Sequence, residues 1–311
     1  MSPPLNLKKT ADQLTSEGYV VLEGLLPPKE LAPLTAALQA LFEREREVPY
    51  DPGDGPAQPD DGEIEQYLAA SYRVTDDELA RMMRRIRHTR AQNLDTPWPV
   101  GPGRINKTFI HIPNLFDDGR SQYVRNLPVK TAWAGHLVEH PVIHGLARHL
   151  LGDDCVLGDI TATSIGSGTD GGAWHLDNPL TQMPEPLPDV PLGFQVAWMI
   201  DDFAAGNGAT RVIPRSHLTR AKPTWGRGDR DDEIPLCAPA GSAAIWLAGT
   251  WHRTGPNGTN RPRRAVISFY QRSWIKPFSE YREAITPELA KRMSPALRYL
   301  YGFSAYGVVR G

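Results

Sequence analysis

Cysteine is scarce in this chain: Cys155 and Cys237 are the only two among 311 residues. A pair so far apart in sequence is neither a disulfide framework nor a zinc ribbon, and it fits a reducing, cytoplasmic setting. Long apolar runs are missing too, since no stretch approaches the roughly 18 residues that span a bilayer. The opening residues, Met1 to Lys9, have no apolar run after their charges, so no signal peptide is expected there. Nor is there an excess of charge: Lys+Arg 34 against Asp+Glu 36 gives a net charge of -2. That balance argues against the positive footprint of a nucleic-acid or anionic-membrane binder. What the chain does have is turn formers and indoles, with Gly 28, Pro 29 and Trp 8. Together they point to a loop-rich, β-containing soluble protein, long enough for one large or two ordinary domains.

Taken in order, Glu17-Gly18 is a turn before a short apolar strand, Tyr19 to Leu22. Pro27-Pro28 then opens a helix with Leu31, Leu34, Leu38, Leu41 and Phe42 at helical spacing. The charges Glu43 to Glu47 read as its solvated end. Residues 50–64 are Pro, Gly and acid, a loop. A helix around Asp76 to Ala91 carries Arg81, Arg84, Arg85, Arg87 and Arg90 on a surface face, and Arg104 to Ile112 alternates like a strand with Lys107 on it. His136, His140 and His144 would line up on one helix, but Pro141 lacks an N–H and clashes with the preceding turn. One helix should therefore stop near Glu139 and another run to Gly152, which makes this ladder a poor metal site.

Beyond Cys155 the texture changes to short apolar runs at 155–165, 193–200, 209–213, 242–248 and 264–271, the pattern of a double-sheet jelly roll. One domain over 1–311 is expected: an N-terminal region, about 1–150, packs on a core at about 151–275. A helix over about 286–302 covers it. Between the first two runs lies Asn178 to Pro191, with five prolines, a candidate substrate-facing lid. Immediately before it stand Trp174-His175-Leu176-Asp177. On an extended backbone His175 and Asp177 project to one side. A distant His252 would complete two imidazoles and one carboxylate on one face of a metal, the arrangement that suits non-haem Fe(II) with its remaining positions open. Candidate substrate-pocket residues are Trp174 and Asn178 beside the motif, Thr161 and Thr163 on the 155–165 run, and Gln195 on the 193–200 run. His217 reads as a hydrogen-bonded structural histidine.

Several stretches together resemble the phytanoyl-CoA dioxygenase family of Fe(II)- and 2-oxoglutarate-dependent oxygenases. They are Glu17 to Leu22 with Pro27-Pro28-Lys29-Glu30-Leu31, Glu139-His140-Pro141-Val142-Ile143, and Trp174 to Asp177. Further along come Ala197 to Asp202, Asn207 to Pro214 with Ser216-His217, Trp251 to Asn257, and Arg261-Pro262-Arg263-Arg264. The Ile213-Pro214-Arg215-Ser216-His217 stretch departs from the family, which usually has Gly before that Ser-His. The resemblance implies a double-stranded β-helix core of the cupin kind, mainly β with flanking helices. It also implies iron on His175, Asp177 and His252, and a salt bridge from Arg263 to the distal carboxylate of 2-oxoglutarate. Arg264 is the rival, because adjacent strand residues face opposite ways; Arg263 follows Pro262 at the family's usual spacing. Thr254, Trp198 and Lys107 match positions beside the co-substrate.

The implied function is oxidation, most simply hydroxylation, of an unactivated C–H of a small molecule in natural-product or secondary metabolism, using Fe(II), 2-oxoglutarate and O2. Relatives that halogenate have lost the carboxylate ligand, so Asp177 argues for oxygen transfer, or for desaturation, epoxidation or ring closure at the same site. A non-oxygenase cupin-like metal module and a catalytically silent partner protein are the readings of another class. Monomer and homodimer are both open.

Overall fold

The computed structural model describes residues 6–45, 60–71, 73–77, 79–80, 83–84, 87, 121–226 and 228–303. Its strands are β1 (Tyr19–Leu22), β2 (Arg73–Val74), β3 (Gln122–Val124), β4 (Val156–Ile165), β5 (Gly193–Met199), β6 (Thr210–Val212), β7 (Thr224–Trp225), β8 (Ile234–Pro235), β9 (Ala243–Leu247), β10 (His252–Thr254) and β11 (Arg263–Gln271). The long apolar runs of the sequence are β4, β5, β9 and β11. They assemble with β1 and β3 into a six-stranded sheet ordered β1-β9-β5-β11-β4-β3, every neighbour antiparallel. A smaller sheet, β10-β6-β8, holds Val212, which packs with Ala197, Ala244 and Ala265 of the large one. The two sheets are a jelly roll, and β2 and β7 form a separate parallel pair.

Alternation along each strand separates two kinds of environment. On the outer face Phe194, Val196 and Trp198 of β5, Ile245 of β9, and Val266 and Tyr270 of β11 meet helical residues, all buried. Those helices are Leu7–Glu17, Pro28–Glu45, Trp133–Val138 and Pro141–Leu151. Leu34 and Leu38 of the second are fully buried, and each such leucine stabilises the layer by about 1.5–3 kcal/mol. Gly18 ends the first helix in the left-handed region at φ +85°, and a side chain there would strike Thr250 and His217. The helix break at Glu139–His140 falls where Pro141 requires it. His217 bonds the Thr15 carbonyl at 2.9 Å, a structural role.

The tail differs from the single helix expected over 286–302. Two short helices, Pro287–Lys291 and Pro295–Leu300, stand there. Pro295 cannot continue a helix, and Ser294 instead caps a new one, its hydroxyl accepting from the Leu297 N–H. The segment Asn178 to Pro191 is anchored too: Leu180 and Leu187 are buried with Leu176, Ala248, Phe269 and Ile275. Lys107 and its expected strand lie outside the described residues, as do Arg81, Arg85 and Arg90. Arg84 and Arg87 are exposed, and Arg87 pairs with Asp61 at 2.6 Å. Cys155 is buried and Cys237 exposed, both free thiols.

Candidate metal and co-substrate site

His175 and His252 are brought together by backbone pairing: each donates its N–H to the other's carbonyl, at 3.0 and 3.1 Å. Their rings lie 4.2 Å apart. Asp177, two residues on, donates its N–H to the Ala248 carbonyl at 3.0 Å. Its carboxylate Oδ1 is 3.5 Å from His252 Nε2. One ligand atom from each of the three lies within 4.8 Å of the others, and among the described residues no other such group of His, Cys, Asp or Glu occurs.

The donor atoms fit a divalent transition metal. Nδ1 of His175 meets the Ala173 carbonyl and Nδ1 of His252 the Thr250 carbonyl, each at 2.8 Å. A carbonyl only accepts, so each Nδ1 carries a proton, and in a neutral ring that tautomer leaves the Nε2 lone pair to face the metal position. Burial, with the neighbouring His252 adding to it, lowers the His175 pKa to about 4, so its imidazole is neutral at ordinary pH. Asp177 Oδ2 is buried without a hydrogen-bond partner among the described residues. A buried carboxylate oxygen with nothing to accept from is costly unless a cation takes it up.

A second polar feature lies on the same inner face of the large sheet. Arg263, at the start of β11, is 3 % exposed, and its guanidinium stands 4.1 Å from the centroid of the Phe203 ring. It donates from one terminal nitrogen to the Gly208 carbonyl, while its Nε finds no partner among the described residues. Gly208 has φ +88°, and a Cβ there would sit 2.9 Å from Ile165. Among the described residues no carboxylate stands within ion-pair distance of Arg263. Burial lowers its pKa to about 10, and it stays a cation at neutral pH. Arg264 faces the other way and is satisfied there, paired with Asp201 at 2.6 Å and bonded to Gln39.

The remaining expected residues divide by face. Thr254 follows His252 by two on β10 and so shares its face, whereas Arg253 between them bonds Asp229 and Glu233 on the outer side. Thr161 and Thr163 point inward from β4, opposite Ile267 and Ala265. Thr161 donates to Asp159, and Thr163 to the Ala265 carbonyl. Asn178 accepts from Thr181. Two expectations need correction. Trp198 is fully buried on the outer face with its ring 5.2 Å from His140, because it alternates with the inward Ala197 and Met199. Trp174 is likewise turned from the ligands: its indole donates to the Gly228 carbonyl and stacks 5.1 Å from Arg253. An H-x-D strand that points both ligands inward must send the residue before them outward.

Sequence reasoning missed Phe203 and Trp246. Trp246 lies with its ring 5.2 Å from His252, and its inward direction follows from alternation with Ile245 and Leu247. Phe203 follows Asp201-Asp202 in a turn, where no periodicity marks it.

Several known proteins are similar to this chain. Dioxygenase af480 of Aspergillus fumigatus is 28% identical over 187 residues, 60% of this chain and 60% of that protein. Dioxygenase FUM3 of Gibberella moniliformis is 28% identical over 179 residues, 54% of this chain and 58% of that one. The chain thus spans rather more than half the length of these curated relatives. Among solved structures, the epimerase SnoN in complex with Fe3+, alpha ketoglutarate and nogalamycin RO superposes with a TM-score of 0.54 at 17% identity, covering 90% of each chain. The carbocyclase SnoK from nogalamycin biosynthesis gives 0.53 at 16% identity, covering 87% of each. At such identities the likeness is one of fold. The family model described as phytanoyl-CoA dioxygenase matches residues 14–265, most of the length, and the chain belongs to that family.

Proposed function

We propose that this member of an Fe(II)- and 2-oxoglutarate-dependent dioxygenase family hydroxylates an unactivated C–H of a compact small molecule, with His175, Asp177 and His252 as the metal ligands. One observation carries the reading. Two imidazoles and a carboxylate converge on the same inner sheet face as a buried arginine with no carboxylate of its own among the described residues.

When Fe(II), 2-oxoglutarate and O2 are bound, the centre supplies oxidative decarboxylation of the co-substrate to succinate and CO2, coupled to insertion of one oxygen atom into a C–H bond. The chain's own part is binding, orientation and exclusion of water. Nε2 of each histidine and the Asp177 carboxylate would hold the ion, a three-residue donor set that suits non-haem Fe(II). Arg263 offers its planar fork to the distal carboxylate of 2-oxoglutarate. Phe203 beneath the guanidinium and the Gly208 carbonyl beside it fix the direction of that fork. Thr254 presents its hydroxyl from the His252 side of β10. Ala197, Ala209, Ala244 and Ala265 make the neighbouring interior apolar and small-chained, which suits a compact substrate and keeps the reacting centre dry.

Ring closure or stereochemical inversion is the second outcome of the same site. SnoK is a carbocyclase and SnoN an epimerase, so this fold serves both reactions. A small-molecule partner is proposed. No helix among the described residues is long and apolar enough to cross a membrane.

The test is anaerobic titration of the Fe(II)-loaded protein with 2-oxoglutarate, following the visible metal-to-ligand charge-transfer band. The band should form in wild type and vanish in both His175→Ala and Arg263→Ala. Absence of a band from folded, iron-loaded wild type would remove the co-substrate reading and leave a metal-binding module.

A further inference from the structure

The residue of interest is Gln195, in the middle of β5. Its side-chain amide reaches Asp177, with Nε2 donating to Oδ1 at 2.7 Å. A carboxylate has no proton to give at neutral pH, so only the NH2 end of the amide can face it. This hydrogen bond joins the large sheet to the loop that carries the H-x-D motif, across 18 residues of sequence.

The surroundings leave Gln195 little choice of direction. Its cross-strand partners are Trp246 on β9 and Phe269 on β11, both buried. A two-carbon stem between an indole and a phenyl ring loses most of its rotamer freedom when the strands pair. The entropy of ordering that long side chain, up to about 2 kcal/mol, is thus met by sheet formation and not at the moment a ligand arrives. Trp246 at the same time sits against the His252 ring. The same cross-strand row therefore steadies two of the three candidate ligands, one through a hydrogen bond and one through ring packing.

We propose that Gln195 is a positioning residue for the metal centre: it fixes the rotation of the Asp177 carboxylate so that the free oxygen lone pairs meet the ion. The inference rests on the metal-site reading given above. Asp177 has a backbone tie to Ala248 but, apart from Gln195, no hydrogen-bond donor to its carboxylate among the described side chains. Without Gln195 the carboxylate would turn about its side-chain torsion and have to be ordered by the ion itself. Groups that orient a ligand in this way typically contribute 10–100-fold to metal affinity. Gln195 was expected to touch substrate; a strand-borne amide already engaged by the ligand carboxylate is better suited to hold the ligand than to read a substrate.

The experiment is a competition titration of the apoprotein with Co(II), reading the dissociation constant and the ligand-field spectrum in the visible, together with the melting temperature without metal. Gln195→Met keeps the length and apolar bulk of the side chain and removes both N–H donors; Gln195→Leu does so with a branched shape, should Met pack poorly. The expected result in a variant that melts near wild type is Co(II) binding weakened about 10–100-fold, with an altered ligand-field band. A variant with a lowered melting temperature but wild-type affinity and spectrum would overturn the proposal, because that is what a purely structural glutamine would give. Unchanged values throughout would overturn it as well. The wild-type titration separates the two readings: failure of wild type to bind Co(II) removes the metal site itself, whereas tight binding by both wild type and variant removes only the role of Gln195.

Discussion

The two faces of the large sheet are built from alternate residues of the same strands, yet they have opposite chemistry. On the outer face Phe194, Val196, Trp198 and Tyr270 fill the space against the helices, and Tyr270 donates to the Val138 carbonyl at 2.8 Å. On the inner face the same strands carry Gln195, Ala197, Thr161, Thr163 and Arg263, small or polar chains around groups whose hydrogen-bonding capacity is not used up. Close packing and satisfied polar groups are the ordinary condition of a protein interior. Among the described residues the outer face leaves only neutral groups such as Trp198 Nε1 and Ser268 Oγ unpartnered, whereas the inner face leaves atoms of charged groups so, Asp177 Oδ2 and the Arg263 Nε. Unused capacity of opposite sign, buried on one face, is the physical signature of a site completed by an ion and an anionic ligand.

The largest effect should come from Asp177→Ala. Losing the one carboxylate in the three-residue set should abolish the proposed oxidation while leaving the fold, which succinate release and the melting temperature together would check. Wild-type turnover by that variant would refute the assignment. Trp198→Ala should act in the opposite sense. Its ring is fully buried among the outer-face residues, so a cavity there should cost about 3–5 kcal/mol of stability. Affinity for 2-oxoglutarate, measured on the folded fraction, should stay near wild type; a large loss of that affinity would place Trp198 back at the co-substrate.

Adjacent residues on β11 sharpen the comparison further. Arg263→Leu should weaken 2-oxoglutarate binding by at least about 30-fold, about 2 kcal/mol, the lower end for a buried charge pair deprived of one partner. The metal-free protein should melt no lower than wild type, since a buried cation without a counter-charge is removed. Arg264→Leu should leave 2-oxoglutarate affinity unchanged. Its pair with Asp201 is partly exposed, with side chains 20% and 27% accessible, so it should cost about 1 kcal/mol or less. Equal effects of the two substitutions on 2-oxoglutarate affinity would dissolve the distinction between the faces.

The smallest effect concerns pH. His140 lies on the outer side against Trp198, and burial, partly offset by a bond to the Leu25 backbone, lowers its pKa below the ordinary imidazole value of about 6.5. The facing His136 lowers it further and Glu30 raises it slightly. The unfolded chain therefore takes up a proton at a higher pH than the folded one. Stability from this residue is present above about pH 6.5 and declines as pH falls from there through the lowered folded value. His140→Gln should flatten that part of the stability profile, measured by denaturant unfolding at several pH values. An unaltered slope would assign the decline to other groups.

Much of the architecture was legible because it follows from local periodicity. The five apolar runs beyond Cys155 correspond to β4, β5, β6, β9 and β11, and the break at Pro141 falls where its missing N–H requires it. The tail was misjudged as one helix because apolar spacing continued across Pro295, whereas a proline with Ser before it restarts the backbone.

The site divides in the same way. Sequence by itself determined the chemistry available: which residues carry imidazole, carboxylate and guanidinium, and, through H-x-D alternation, that His175 and Asp177 share a side. It also carried the family likeness that linked His252 and Arg263 to them. Strand parity made Arg263 and Arg264 rivals, and parity could have turned Trp198 and Trp174 outward had the inner face been known. Which face is inner is not a local property, since it depends on which side of the sheet the helices cover. That choice, made by the burial of Phe194, Val196 and Trp198 under the helical layer, sent Gln195 toward Asp177 and left Arg263 without an acid partner among the described residues. Only long-range packing decides it, because period-two alternation specifies two faces and says nothing of what lies against each.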